Sequence, residues 1–356
     1  MKTKSRRLAN VELLRVVAML MVVMLHYLGK GELLPEMSIR MGATGYVAWI
    51  LESLSIVAVN VYVLISGYFL VESEFKLGKI VKLVLQVLFY TVLITVLAFS
   101  FGLVGKEEFG IYNMIVQLFP FQLEQYWFMT SYLVMYILSP VLAMAAKTLS
   151  QKNLKVVTLL MVAFMCIEKS ILPVQIKFDQ HGYDALWFIC LFLVAAYVRL
   201  YGIKFLEKRS NAILLYVACC VLMMGENMVF SLVYEKLGEM GHLVKTPYHY
   251  NHIFNLLASL GFFMFFLNVK IKDGLFANLV CKIAPYTLGV YLWHEHIYVR
   301  YLWPEWFGAG ESQNVGIFLL KAFGTVLCVF VIGIVVDYLR SLVFKFGSKL
   351  IHVKKS

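Results

Sequence analysis

The sequence has little charge. Asp, Glu, Lys and Arg together supply only 15% of its 356 residues, against about a quarter in ordinary soluble domains. Proline is scarce as well, with seven residues in the whole chain, which leaves long stretches free to form unbroken helices. There is no low-complexity tract and no long polar linker, so no separate soluble domain is expected. No internal repeat of the kind that marks many secondary transporters is visible. The six cysteines (Cys166, Cys190, Cys219, Cys220, Cys281, Cys328) all fall in apolar runs without metal-ligand spacing, so they read as small core residues, not as a metal site.

What the chain has in abundance is apolar surface, with 61% hydrophobic residues and a mean hydropathy of +0.79. A soluble fold of this size cannot hide so much, so the expected class is an all-α polytopic membrane protein with the lipid bilayer as its first partner. The net charge of +11 does not point to nucleic acid, because the Lys and Arg residues sit in short loops and at the termini instead of forming one patch. The opening MKTKSRR and the apolar run after it lack a small-residue cleavage site, so they are expected to be a retained helix.

A span needs about 20 apolar residues. On that rule ten spans are expected, near 10–29, 45–70, 78–102, 126–146, 154–172, 184–201, 211–234, 250–268, 282–303 and 315–340. Residues 110–125, GIYNMIVQLFPFQLEQ, are too short and too interrupted by Pro120 to span, and fit an interfacial or re-entrant piece. If both termini are cytoplasmic, the inner segments carry more than twice as many Lys and Arg residues as the outer ones, which satisfies the positive-inside rule.

The first span carries Glu12, Arg15 and His26. An ionisable group within a span is costly and so points to function. Arg15 and His26 are eleven residues apart; at about 100° per residue they return to within roughly 20° of one another, about 16 Å apart along the axis. Arg15 fits an anion anchor on the cytosolic side. His26 fits a general base towards the outside. The competing account has both groups serving only as interfacial anchors at the helix ends.

Other spans add candidates. Glu52 in the second span stands at the level of His26 and could orient its imidazole; Asn60 and Ser66 are further polar candidates there, although Ser66–Gly67 equally suits close helix packing. Lys76, Lys79 and Lys82 follow on one helical edge, suited to a polyphosphate or to plain positive-inside bias. Trp127, Tyr132 and Tyr136 would line an outer entrance, where aromatic rings suit sugar faces and also an ordinary aromatic belt. In the ninth span Tyr291, His294, Glu295 and His296 cluster, with His294 expected near mid-bilayer; the His-x-His pair has no further ligand at confirming spacing, so no metal is expected. The outer HYNH segment (249–252) and Glu226–Asn227 are additional polar candidates with loop or packing roles equally open.

Five stretches, in order, resemble the acyltransferase-3 family of bacterial membrane proteins. They are Arg15 followed by His26 after ten intervening residues, VLISGYFL (63–70), YWFMTSYLVMYILSPVL (126–142), YHYNHIFNLLASLGFFMFF (248–266) and APYTLGVYLWHEHI (284–297), the last matching at Thr287, Gly289, Tyr291 and His294. The resemblance implies a ten-span O-acyltransferase of the bacterial plasma membrane. It would move an acyl group, usually acetyl, from cytosolic acetyl-CoA as co-substrate to a hydroxyl of a surface polysaccharide or lipid-linked glycan, alongside glycan-assembly machinery. It implies His26 as the catalytic histidine, Arg15 as its paired arginine, and a CoA-phosphate site at Lys79 and Lys82. There the family's two arginines are replaced, which keeps charge but loses the bidentate fork. The family's Glu-Glu-Gln stretch is absent, Tyr132 and Leu133 standing there, and Glu295 replaces the proline after the ninth-span histidine. A variant of the mechanism has Tyr132 or Tyr136 carry the acyl group covalently. The alternative function is a transporter or flippase whose polar residues line a conduit.

Overall fold

The computed structural model describes residues 8–105, 110–171, 179–310 and 314–353. The basic residues Lys2, Lys4, Arg6, Arg7, Lys106, Lys177, Lys354 and Lys355 counted in the charge distribution lie outside these, as does the side chain of Lys349. Within the described residues the architecture is helical and contains no strand. That outcome suits a chain in lipid, where backbone polar groups must be satisfied within each segment.

In chain order the helices are α1 (Ala9–Lys30), α2 (Ala43–Ser55), α3 (Ala58–Leu70), α4 (Leu77–Ser100), α5 (Ile111–Val116), α6 (Trp127–Thr148), α7 (Gln151–Val162) and α8 (Glu168–Ile171). They continue as α9 (Ala185–Tyr201), α10 (Lys204–Glu207), α11 (Arg209–Leu237), α12 (Ile253–Leu267), α13 (Leu275–Ile283), α14 (Thr287–His294), α15 (Trp303–Trp306) and α16 (Val315–Val353). Eight helical runs among the described residues are long and apolar enough to cross a membrane. Two of the ten expected spans take other forms. One is α7 and α8 joined by a π segment, Ala163–Ile167, and the other is the 17-residue α9.

Side-chain ties sort the helix ends onto two faces. On one, Asn10 Nδ2 donates to Phe266 O and Leu267 O at 3.0 Å, Asn268 Nδ2 to Leu206 O at 3.0 Å, and Arg199 Nη1 to Tyr68 Oη at 3.2 Å. These bring together the start of α1 and the ends of α3, α9 and α12. On the other face, the end of α1 meets the end of α14 through His26 and His294. We call them the Arg15 face and the Lys30 face, after the ends of α1. Gly67 lets α3 approach α9, because a Cβ there would stand 2.9 Å from Ala195 Cβ and 3.0 Å from Phe192 Cα; this small residue, next after Ser66, is a packing device.

Three boundaries differ from the sequence expectation. The second span divides after Ser55, where Leu54 O accepts from Tyr216 Oη at 2.7 Å. The eighth begins only at Ile253, after two 3₁₀ turns, the second with Pro247 near its start. The ninth is shifted: the helical run covers Leu275–His294, not 282–303. It stops because Glu295 and His296 turn to partners on α1 and α4, Glu295 pairing with Lys30 and His296 Nε2 reaching Thr91 O at 3.2 Å. Within residues 110–125 only α5 is helical; its six residues are not buried and present Ile111 and Tyr112 outward, while Gln117, Phe121 and Gln125 after it are buried.

Candidate active site

One stripe of α1 carries the site. Arg15, Met19, Val22 and His26 follow helical spacing and all line one cavity of about 280 Å³. Val59, Tyr62 and Ser66 of α3 form a second wall, Trp127, Phe128 and Tyr132 of α6 a third, and Thr287, Leu288 and Tyr291 of α14 a fourth. Arg15 and His26 therefore stand towards opposite ends of one space.

At the Arg15 end, Nη1 of the guanidinium bonds to both oxygens of Glu12, at 3.1 and 3.3 Å, and Tyr62 Oη donates to the Arg15 carbonyl at 2.6 Å. A guanidinium carries five donors, so this pairing fixes its orientation while leaving N–H groups for a ligand. Lys79 and Lys82 are exposed on the first turns of α4, and the residue after Lys82, Leu83, lines the cavity.

At the His26 end a relay of side chains sets the imidazole. His294 Nδ1 lies 2.5 Å from Val290 O. A carbonyl can only accept, so Nδ1 carries the hydrogen and His294 Nε2 is the acceptor. His26 Nδ1, 2.8 Å from that Nε2, then carries its own hydrogen, and His26 Nε2 keeps a free lone pair. Glu295 Oε2 stands 3.2 Å from His26 Nδ1 and is itself paired with Lys30, while Arg300 Nη1 lies 3.7 Å from Glu295 Oε1. The Tyr291 hydroxyl is buried without a hydrogen-bond partner among the described residues, its ring 6.4 Å from that of His26.

The sequence candidates divide accordingly. Arg15, His26, Ser66, Trp127, Tyr132 and Tyr291 line the cavity. His294 does not; it ends α14 beside His26 at the Lys30 face. Asn60 is fully buried and holds the chain together instead, donating to Tyr250 O at 2.8 Å and accepting from Trp187 Nε1 at 2.9 Å. Tyr136 stacks on Tyr132 with its hydroxyl 3.4 Å from Lys76 O. Glu52 lines a different cavity, and the carboxylate against His26 is Glu295. Lys30 and Arg300 were not among the sequence candidates; Glu295 was, in the ninth-span cluster and in place of the family's proline, but without a link to His26.

Among the described residues two groups have donor atoms close enough to hold a metal ion, His26–His294–Glu295 and Asp179–His181–His249, each with all ligand atoms within 4.8 Å of one another. In both, a lysine ammonium already sits on the carboxylate: Lys30 on Glu295 and Lys169 on Asp179. Lys169 Nζ is also 3.0 Å from His181 Nδ1.

A family model described as an acyltransferase domain matches residues 8–334. No curated protein and no solved structure matches the chain.

Proposed function

This chain belongs to the acyltransferase-3 family and is a membrane acyltransferase, and from that premise we propose that it moves an acyl group, acetyl in the first instance, from cytosolic acyl-CoA to a hydroxyl of a glycan or lipid-linked glycan on the far side of a bacterial plasma membrane. The observation that carries this reading is the single cavity with a guanidinium at one end and an oriented imidazole at the other. Arg15, with Lys79 and Lys82 outside it, holds the CoA phosphates at the Arg15 face. The pantetheine arm runs along the Met19–Val22 stripe, and the thioester comes to rest near His26, about 16 Å away along the axis.

His26 Nε2 takes the proton of the acceptor hydroxyl as its oxygen attacks the thioester carbonyl carbon. The Tyr291 hydroxyl, otherwise unpartnered, donates to the oxygen that becomes negative. The carbon–sulfur bond then breaks, the imidazolium returns its proton to the leaving thiolate, and an ester and free CoA result. Glu295 sits where it stabilises the imidazolium, and Lys30 and Arg300 hold that carboxylate in place. Tyr132 lines the cavity and keeps the covalent variant open.

Membranes containing the protein, given radiolabelled acetyl-CoA, should label the glycan fraction. His26→Ala should reduce that label by about 10²–10⁴-fold, the usual contribution of a general base, with the amount of protein in the membrane unchanged. Undiminished labelling in the variant sinks the mechanism.

A further inference from the structure

A second and larger cavity, of about 800 Å³, opens at the Lys30 face. Its size falls within the range of small-molecule sites, and it is separate from the space that holds Arg15 and His26. Gly29 of α1 lines it, while His26, three residues earlier, lines the first. The two spaces are divided by a layer of rings. Tyr183 faces the larger cavity and packs 4.4 Å from Trp127 and 4.8 Å from Tyr250, both of which face the smaller one.

We propose that this second cavity is the acceptor site, and that it takes a neutral or amine-bearing polyhydroxyl segment and turns away anionic ones; this rests on the acyltransferase reading and names the substrate class for it. Three features support the assignment. Trp49 and Tyr248 offer ring faces in the wall, 4.9 Å apart, which suit the C–H faces of sugar rings. Glu52, deeper in, has an Oε2 that is buried and has no hydrogen-bond partner among the described residues. A buried polar atom left unpaired costs free energy, and a ligand O–H or N–H would relieve it. At the mouth, Glu32, Glu36 and Glu235 are exposed against one ammonium, Lys245. Carboxylates of one sign at a concave surface disfavour uronate or phosphate-bearing polymers and favour amines. Acceptor thus waits on one side of the Tyr183–Trp127–Tyr250 layer and donor on the other, and those rings must shift for the hydroxyl to reach His26.

The test is binding by saturation-transfer NMR with the full chain in lipid nanodiscs and no acyl-CoA present. The probes are a glucosamine tetramer, an N-acetylglucosamine tetramer and a galacturonate tetramer. The first two should bind and the third should not. Glu52→Leu, which removes an unpaired polar group without leaving a void, should keep the fold and weaken both positive probes about tenfold. Glu36→Lys with Glu235→Lys, both at exposed positions, should admit galacturonate. His26→Ala should bind all probes as the parent does, so loss of labelling in that variant tests the transfer reading alone. Binding of galacturonate as tight as that of the glucosamine tetramer, failure of both uncharged and amine probes, or unchanged affinity in Glu52→Leu overturns the proposal.

Discussion

At the scale of single residues, the site is organised by who holds the hydrogen. The Val290 carbonyl dictates the His294 tautomer, His294 dictates that of His26, and the lone pair left on His26 Nε2 is the one that chemistry at a hydroxyl requires. Glu295 adds charge to this relay. In the ground state it pairs with Lys30, and during proton transfer it faces an imidazolium through His26 Nδ1 at 3.2 Å. Glu295→Gln keeps a hydrogen-bonding group of the same shape and loses the charge. It should lower kcat by on the order of tenfold, about 1.4 kcal/mol of transition-state stabilisation, while the KM for acetyl-CoA stays the same. Initial rates over a range of acetyl-CoA concentrations check this, and a change confined to KM would remove Glu295 from the proton-transfer step. Sequence alone singled out His26 and His294 but joined neither to the other, since their contact spans 268 positions and depends on where α14 stops.

At the scale of elements, periodicity explains what was legible. The Arg15–Met19–Val22–His26 stripe follows from 3.6 residues per turn, and α1 realises it as one wall of the cavity. Polar residues on the other spans were harder to read, because a buried amide satisfying a loop carbonyl looks the same in sequence as one awaiting a ligand. Asn60 is the first kind, tied to Tyr250 O and Trp187; Glu52 Oε2 is unpaired. The α14–α16 crossing shows how packing fixes the site. A Cβ on Gly289 would fall within the van der Waals shell of Asp337 Cβ and stand 2.5 Å from Tyr90 Oη. Asp337 is fully buried, accepting from Gln86 Nε2 at 2.9 Å and Tyr90 Oη at 3.1 Å and held by Arg340 at 2.6 and 3.1 Å, so it cannot yield without stranding a charge. Gly289→Val must therefore push α14 aside, at a cost of about 1–3 kcal/mol, and with it His294, five residues on. We expect a lower melting temperature in detergent together with loss of acetyl transfer. A variant with a wild-type melting point and wild-type transfer would show that the crossing does not set the catalytic end of α14.

At the scale of the whole molecule, the two faces differ in charge and in chemistry. The Arg15 face carries Lys76, Lys79, Lys82 and Lys147, with Lys147 Nζ 3.6 Å from Glu72 at the end of α3; the Lys30 face carries the mouth glutamates Glu32, Glu36 and Glu235. Cytoplasmic loops collect Lys and Arg, so the Arg15 face is the one expected in the cytosol, and the larger cavity, proposed above as the acceptor site, is then expected to open outward. Hydropathy could locate the spans, but the separation of the smaller cavity from the larger one needed the folded bundle, because Tyr183, Trp127 and Tyr250 come from three separate stretches of chain. Single cysteines placed on the two faces settle the direction. In a background with Cys328 and the other native cysteines replaced, Glu36→Cys should react in intact cells with a membrane-impermeant maleimide, and Lys82→Cys should react only after the membrane is opened. Both positions are exposed, so accessibility and not folding governs the outcome. The reverse pattern would put Arg15 on the outside, away from cytosolic acyl-CoA, and would make the proposed direction of transfer untenable even if His26 remained essential.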